Sequence, residues 1–583
     1  MRRNLATCIV SLLLAACAED EGPSRPVSTV AFQPPPEAEE RVEPGVRYAD
    51  VTKDAGIDFV HVTGAFGKKY LPETMGGGVG LLDYDGDGDL DLLFVQSAYW
   101  PGHEPEGPAP TPKLYRNDGG WRFTDVTEEA GLAFTVYGMG CAIADYDGDG
   151  DPDVYLTCLG PNLLLRNDGG RFAPVEGGPD GGTWTDDTGT HPSWSTGAAW
   201  FDADADGDLD LLVVSYVRWT VDRDVYSQAV EGIKAYTRPQ LYEGDRPRLY
   251  LQEDDGTFRD ATEGSGFDAT RVPGKSLAVC LDDFDGDGFT DVFVANDTVQ
   301  NFLFLGRGGA KFEEVAVKAA VAYDDNGRAR AAMGIDAVDW RNDGRLAVAI
   351  GNFSEEPVSL FSAGTGKGGL IFDDDAARAR IGRPTLLPLT FGLLWVDADL
   401  DGWCDLVLAN GHIEPSMPQL KPELQYEQAP QLFRNVKGDR FADVSLDAGP
   451  PFQRRIVGRG LAAGDLDGDG DPDLVFTANG GRPMVLRCDP AAPHRALRLR
   501  LRQPGTRNPD ALGASVRVTG GGVTQRRVVR TGGSYLSQGD LALTLGLGAS
   551  DKASVVVRWP DGVEQDFGSL DARAAPHVLE RKP

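Results

Sequence analysis

Aspartates recur in this chain at a spacing that places several carboxylates around one point. The first instance reads Asp83-Tyr84-Asp85-Gly86-Asp87-Gly88-Asp89-Leu90-Asp91, and versions of it begin again at Asp145, Asp202, Asp283, Asp339, Asp397 and Asp465. Carboxylates at loop positions 1, 3, 5 and 9, with the backbone carbonyl of position 7, can converge on a cation. That number of hard oxygen ligands suits Ca²⁺ better than Mg²⁺, which takes fewer ligands in a stricter geometry. The expected ligands are Asp83, Asp85, Asp87 and Asp91; Asp145, Asp147, Asp149 and Asp153; Asp202, Asp204, Asp206 and Asp210; Asp283, Asp285, Asp287 and Asp291; Asp397, Asp399, Asp401 and Asp405; and Asp465, Asp467, Asp469 and Asp473. Position 6 is glycine in all seven copies, as a sharp turn demands.

The fifth copy breaks the pattern. It reads Asp339-Trp340-Arg341-Asn342-Asp343-Gly344-Arg345-Leu346-Ala347, so an arginine and an alanine replace two ligands. This loop is expected to fold without metal, with the Arg341 guanidinium standing where the cation would be. Six loops remain competent.

The elements that carry these loops read as strands. An EF-hand needs a carboxylate at loop position 12 and flanking helices; here that position is Phe94. Gly78-Val79-Gly80-Leu81-Leu82 precedes the first loop and Leu92-Leu93-Phe94-Val95 follows it, short apolar runs of the buried-strand kind. Copies start 56 to 81 residues apart, enough for four strands in each interval. Strand–turn–strand patterns at Leu114 to Phe123, Leu164 to Phe172, Leu249 to Phe258, Leu303 to Phe312 and Leu432 to Phe441 supply the outer hairpins. The expected fold is all-β: a seven-bladed β-propeller with calcium loops in the first turn of each blade. The last blade lacks an outer strand, while Tyr48-Ala49-Asp50-Val51-Thr52 matches Thr124-Asp125-Val126-Thr127 and has no blade of its own. The N-terminal strand is therefore predicted to complete the last blade and hide both edges. From about His494 the aspartate loops stop and alternating strands begin, giving a small C-terminal β-domain.

The net charge of −34 makes nucleic acid a poor partner, since phosphate binding needs a basic face. Six Ca²⁺ ions would bring the balance to about −22. At a Kd of about 0.1 mM and about 1 mM Ca²⁺, each ion adds about 1.4 kcal/mol, and six add on the order of 8 kcal/mol. Calcium is thus expected to be structural.

Met1-Arg2-Arg3 followed by the apolar stretch Leu5 to Ala16 reads as a secretory signal, too short for a membrane span. It ends Leu14-Ala15-Ala16-Cys17, similar to the lipobox of bacterial lipoproteins, which implies lipidation of Cys17. The Pro- and acid-rich stretch that follows reads as a tether. The boundaries are 1–17 signal, 18–46 tether, 47–490 propeller and 491–583 C-terminal domain. The lipid would be the sole membrane attachment, on the outer membrane or cell surface rather than the inner membrane. Five cysteines remain in the body, an odd and sparse set for a disulfide framework. Cys141 and Cys158 are left open as a pair or as free thiols.

With calcium in the first turn of each blade, the long connections lie at the other end of the strands. They carry Trp100, Trp184, Trp194, Tyr226, Tyr236, Tyr242 and Tyr426, where exposed rings beside polar groups would suit an extracellular glycan or an extended peptide. His61, His103, His191 and His412 fall on the same connections, and with Glu73 or Glu414 could build a transition-metal or acid–base site. His61, Glu73, Trp100, Trp194 and His412 are the candidate ligand face. No Ser-His-Asp order, nucleophile elbow or zinc motif is present.

The calcium repeats resemble the FG-GAP or VCBS repeats of integrin-type propellers. Leu512-Gly513-Ala514-Ser515-Val516, Gly532-Gly533-Ser534-Tyr535-Leu536-Ser537-Gln538 and Trp559-Pro560-Asp561-Gly562 are similar to the ASPIC/UnbV domain. Together they resemble the cartilage-acidic-protein-like family in its bacterial lipoprotein form. The resemblance implies a calcium-binding extracytoplasmic surface protein without a catalytic signature, acting in ligand binding or adhesion through the face opposite the calcium loops. The alternatives are a periplasmic or surface enzyme acting on polysaccharide in the channel, and a scaffold subunit docking a partner through its C-terminal domain.

Overall fold

In a computed structural model, which describes residues 41–230, 233–364, 369–492 and 494–582, the architecture is almost all-β, with many repeats and a distinct C-terminal β-domain. The signal, Cys17 and most of the tether lie outside the described residues. Among those described, no helix is long and apolar enough to cross a membrane. Glu43 onward forms one compact unit.

Among the described residues, seven four-stranded antiparallel sheets follow one another ahead of the C-terminal domain. In the first, Val79–Leu82, Asp91–Phe94, Lys113–Asn117 and Phe123–Asp125 pair in chain order. The inner strands are wholly buried, as Gly138–Ala144 shows in the second sheet, which is why they read as unbroken small and apolar runs rather than alternating ones. Each aspartate loop joins a first strand to a second. The first strand of each sheet packs against that of the next, and the first strand of the seventh, Gly458–Gly464, packs against that of the first sheet. Apolar side chains interleave between neighbours: Leu93 and Val95 of the first sheet, for example, share a cluster with Ile143 and Leu156 of the second.

The seventh sheet takes its outer strand from the other end of the chain. Val46–Asp50 pairs antiparallel with Met484–Pro490, placing Tyr48 opposite Cys488. Hydrogen bonds show that it occupies the place of an outer strand. Thr52 N donates to Asp50 Oδ1 (3.0 Å) and Thr52 Oγ1 accepts from Val485 N (2.8 Å). In the first sheet Thr127 N donates to Asp125 Oδ1 (3.0 Å) and Thr127 Oγ1 accepts from Leu114 N (3.1 Å). One Asp-x-Thr motif therefore ends both strands.

Residues Val221 to Asp245 form an insertion between the second and third strands of the third sheet and carry a small hairpin, Ser227–Val230 with Ile233–Ala235. Cys141 and Cys158, left open in the sequence, are free and buried, as are the other three body cysteines. The pairing explains it: Cys141 stands opposite Leu156, and Cys158 opposite Gly138.

In the C-terminal domain, Ala496–Arg502 pairs with Leu543–Gly546 and, in parallel, with Arg573–Glu580; a four-stranded sheet from Ser515–Gly520, Val523–Val528, Lys552–Arg558 and Glu564–Asp571 packs beside it. Its core does not stop at its own boundary. Leu499, Val516, Val557 and Trp559 share one cluster with Ala142, Trp200 and Leu211 of the second and third sheets.

Candidate metal loops and the cavity at the other end of the strands

Each aspartate loop is wound by its own hydrogen bonds. The position-6 glycine N–H donates to the position-1 carboxylate in all seven copies, at 2.7 to 3.1 Å, as in Gly88 N to Asp83 Oδ2 (3.1 Å). These glycines have φ between 85° and 103°, a region that a Cβ disfavours. Position 9 does a second job. Asp91 Oδ2 accepts from Tyr84 N (2.9 Å) and Asp91 Oδ1 from Asn117 N (2.8 Å), tying the loop to the third strand. Asp153, Asp210, Asp291, Asp405 and Asp473 repeat the pair of bonds.

Among the described residues, six groups of at least three acidic or other metal-binding side chains offer ligand atoms within 4.8 Å of one another, among them Asp83, Asp85 and Asp91, and Asp397, Asp399 and Asp401. The donor set fits a divalent cation. Asp83 Oδ1, Asp204 Oδ1, Asp283 Oδ1 and Asp397 Oδ1 are buried without a hydrogen-bond partner, and a buried carboxylate oxygen left unpaired calls for a cation. Electrostatics agree. Burial, reinforced by neighbouring carboxylates, pushes Asp91 up to about 8, Asp145 to about 7 and Asp153 to about 9, and holds Asp397, Asp405 and Asp473 well above the usual carboxylate range.

The fifth loop departs from expectation in detail. Arg341 does not take the cation's place: it lies 3.2 Å from Asp375 Oδ2 and stacks over Trp340 at 4.2 Å. Arg345, at position 7, instead holds Asp343 through Nε (3.0 Å), and Asp343 is pulled below its ordinary range. A side chain at position 3 leaves the loop outward, within reach of the adjacent turn, while position 7 folds back on position 5. Ala347 cannot make the position-9 bonds, and Ala363 N goes to Leu346 O (2.9 Å).

The C-terminal domain covers the loop end of the sheets. It carries fourteen basic and eight acidic residues, a balance of +6, against −40 for residues 1–490. Arg498 Nη1 lies 2.6 Å from Asp465 Oδ2, Arg507 Nη1 3.0 Å from Asp208 Oδ2, and Gly546 N donates to Asp397 Oδ2 (3.0 Å). The segment Thr531 to Gln538 runs between the inner strands. Gly533 N donates to Val279 O (2.7 Å), Ile335 N to Ser534 O (3.0 Å), and the Gln538 amide brackets Ile143 through Oε1 (2.9 Å) and Nε2 (2.7 Å). Tyr535, fully buried, donates its hydroxyl to Met75 O (2.8 Å). The sequence contains this segment as a motif, but nothing in it says that the motif fills the space between sheets.

At the other end of the strands, the candidate ligand-face rings are not exposed. Trp100 (6%), Trp194 (1%), Trp184 (4%) and Tyr242 (7%) are buried; Tyr226 (61%) is exposed. Trp100, Trp194 and Tyr242 pack with Trp219, Phe391 and Tyr535, and this apolar cluster anchors the connections. His61 is also buried and spent: Nδ1 accepts from Gly480 N (3.2 Å) and Nε2 meets Ser97 Oγ (3.3 Å), so neither nitrogen is left for a metal. His103 stacks on Phe66, apart from His191, which stacks on Trp184.

Glu73 and Glu414 approach one tyrosine from two sides. Tyr236 OH donates to Glu73 Oε2 (3.2 Å) and Tyr236 N to Glu414 Oε2 (3.3 Å). Burial pushes Glu73 up to about 7, against the bonds from Tyr70, Tyr236 and Trp100. Burial also acts on Glu414, yet Lys69 and Ser416 hold it below its ordinary value. Beside them opens a cavity of about 570 Å³, lined by Phe353, Phe391, Met333 and His412 among others.

Two family descriptions match the chain: FG-GAP-like repeat at residues 83–156, 283–350 and 397–476, and ASPIC and UnbV at residues 505–582. Cartilage acidic protein 1 of Homo sapiens is 27% identical over 303 residues, half of this chain and 42% of the human protein; that of Mus musculus is also 27% identical, over 50% and 43%. The chain thus spans less than half the length of these relatives. It carries FG-GAP-like repeats and a C-terminal ASPIC/UnbV domain, and is related at family level to cartilage acidic protein 1. Among solved structures, an Agrocybe aegerita lectin that recognises non-reducing terminal N-acetylglucosamine aligns with TM-score 0.36 and 15% identity over 63% of this chain and 79% of the lectin. Rhamnogalacturonan lyase YesW aligns with TM-score 0.34 and 12% identity over 70% and 71%. At these scores neither carries an argument.

Proposed function

We propose that this chain is a calcium-stabilised seven-bladed β-propeller that works outside the cytoplasm as a binding protein, held at a membrane by a lipid on Cys17. The carrying observation is the set of buried, unpartnered carboxylate oxygens at Asp83, Asp204, Asp283 and Asp397. A fold that buries them without a cation pays desolvation for nothing; Ca²⁺ supplies the missing partner and neutralises the crowded acids. Six loops carry the full ligand set and the fifth stays empty, its Asp343 already neutralised by Arg345. Ligand recognition falls to the end opposite the loops, because the C-terminal domain covers the loop end and the cavity opens at the other. The arginines that pair with ring aspartates also speak for that domain as a fixed part of the molecule rather than a free docking module.

Thermal unfolding of the protein, titrated with Ca²⁺ and with Mg²⁺ as control, tests this reading. A melting temperature that climbs steeply with Ca²⁺ and barely with Mg²⁺ is expected. No calcium response would remove its physical basis.

The placement of Glu73 and Glu414 on either side of Tyr236 favours one second reading, an enzyme acting on polysaccharide, since two carboxyl groups whose surroundings push their titrations apart, Glu73 upward and Glu414 downward, are an arrangement that glycosidic hydrolysis uses. Reducing-end release from polysaccharides, abolished in Glu73→Gln, is the corresponding assay.

A further inference from the structure

The second strands of the fourth, fifth and sixth sheets, Asp291–Asn296, Ala347–Asn352 and Asp405–Asn410, all end in asparagine. Two residues beyond each asparagine stand Thr298, Ser354 and His412. Thr298 Oγ1, Ser354 Oγ and His412 Nε2 are all buried and all lack a hydrogen-bond partner. An unpaired polar atom is an exception in a folded protein. Three at one repeat-equivalent position, in three consecutive sheets, form an arc, and all three residues line the 570 Å³ cavity. Thr298 holds φ at 62°, a strained value for a β-branched residue, and such strain collects where a side chain must be aimed.

The chemistry of the arc is uncharged. His412 Nδ1 accepts from Glu414 N (3.0 Å), so the ring proton sits on Nε2, which presents a neutral N–H. Burial keeps the ring neutral, pulling it down to about 4. Beside the arc, Asp297 offers a carboxylate that already accepts from Tyr216 OH, and Phe353 offers an apolar ring. The cavity's other carboxylates are partly committed: Lys69 pairs with Glu414, and Lys421 Nζ lies 2.5 Å from Glu355 Oε2. An anion would meet Asp297. A pure hydrocarbon would leave the arc unpaired, and an organic cation would offer no acceptor to the His412 N–H. A ligand that alternates hydroxyl donors and acceptors around an apolar C–H face satisfies all of these groups.

We propose that this cavity binds a neutral sugar residue, its hydroxyls on Thr298, Ser354 and His412 and its C–H face on Phe353. The cavity is of the size of small-ligand sites, which run from about 300 to 1,000 Å³. Tyr535 and Leu536 of the C-terminal domain belong to the same apolar cluster as the lining residues Phe391 and Met333. This inference rests on the reading of the chain as a binding protein and names the chemistry of its site.

The test is saturation-transfer NMR on the full chain with the methyl glycosides of glucose, galactose, mannose, xylose and N-acetylglucosamine, with tetramethylammonium and benzoate as charged controls. At least one glycoside should receive saturation on its ring C–H face, and His412→Phe, shown to be folded by circular dichroism, should weaken its binding at least tenfold. Ser354→Val is the second variant, should His412→Phe fail to fold, and should weaken the same glycoside. No glycoside transfer, or transfer indifferent to both variants, overturns the proposal. Binding of tetramethylammonium or benzoate alone, lost in His412→Phe, also overturns it while leaving a binding protein. A normal calcium response of the melting temperature beside a failed glycoside test sinks this inference and not the calcium propeller.

Discussion

Arg498 of the C-terminal domain reaches into the seventh aspartate loop and places Nη1 2.6 Å from Asp465 Oδ2, with both side chains buried. Its Nη2 lies 2.9 Å from Asp540 Oδ2, so one guanidinium ties the loop to the segment that enters between the inner strands. Breaking a buried pair by removing one partner costs about 3–5 kcal/mol, because the other charge is left unpaired. Arg498→Met should lower stability by that order in urea denaturation. A change below about 1 kcal/mol, the range of exposed pairs, would show that the contact carries no weight in solution.

Positions 1 and 9 of a loop should separate by chelation. Asp91 serves two backbone N–H groups besides any metal, and a buried donor left unpaired costs about 1–3 kcal/mol. Asp91→Ala should therefore lower the melting temperature with and without EDTA. Asp83→Asn keeps an oxygen for Gly88 N and should lower it only when calcium is present. Equal losses for Asp83→Asn in both conditions would deny it a role as a ligand.

Restoring the fifth loop should add a site. Arg341→Asp with Ala347→Asp supplies the missing carboxylates, and the new aspartate at 347 can take over the Ala363 N–H now bonded to Leu346 O. Calcium content by atomic emission, after exhaustive exchange, is expected to rise by one ion per chain. No rise would mean that more than ligand identity keeps this loop empty.

Glu73 gives a pH dependence with a definite sign. Its folded pKa, about 7, stands above the ordinary 4.5, chiefly through burial. The folded state therefore binds the proton more tightly, and its contribution is full below about pH 4.5 and fades as pH rises through about 7. Glu73→Gln removes that titration. Thermal melts of both proteins across this interval should move apart in favour of Glu73→Gln as pH rises, and parallel curves would contradict a raised pKa.

Tyr535 tests whether ring and C-terminal domain unfold together. Truncating a fully buried aromatic to alanine costs about 3–5 kcal/mol. If the segment is part of one core, Tyr535→Ala should shift a single unfolding transition seen by both far-UV circular dichroism and tryptophan fluorescence. A transition confined to the C-terminal domain, with the rest unmoved, would make the two independent.

The sequence alone determined what repeats locally. Six Asp-x-Asp loops and one Asp-x-Arg loop between apolar runs specify the turns, since each loop's bonds close within nine residues, and the unpaired outer-strand motif at Asp50-Val51-Thr52 announced its partnership with the far end of the chain. Even the cavity arc left a trace, in Ala295-Asn296-Asp297-Thr298, Gly351-Asn352-Phe353-Ser354 and Ala409-Asn410-Gly411-His412, legible once the loops set the alignment. Other features were decided only in three dimensions. Whether Trp100 and Trp194 face solvent depends on which other rings arrive from distant repeats to cover them, and a connection rich in aromatics reads alike in either case. Where Arg341 points depends on Asp375, a neighbour from the next turn. That Tyr535 fills the space between the inner strands depends on a surplus of positive charge meeting a surplus of negative, and on small residues such as Gly78 and Gly140 leaving room for Leu536. Local hydrogen bonds are written in neighbouring residues; burial and pairing across hundreds of residues are set by the assembled shape.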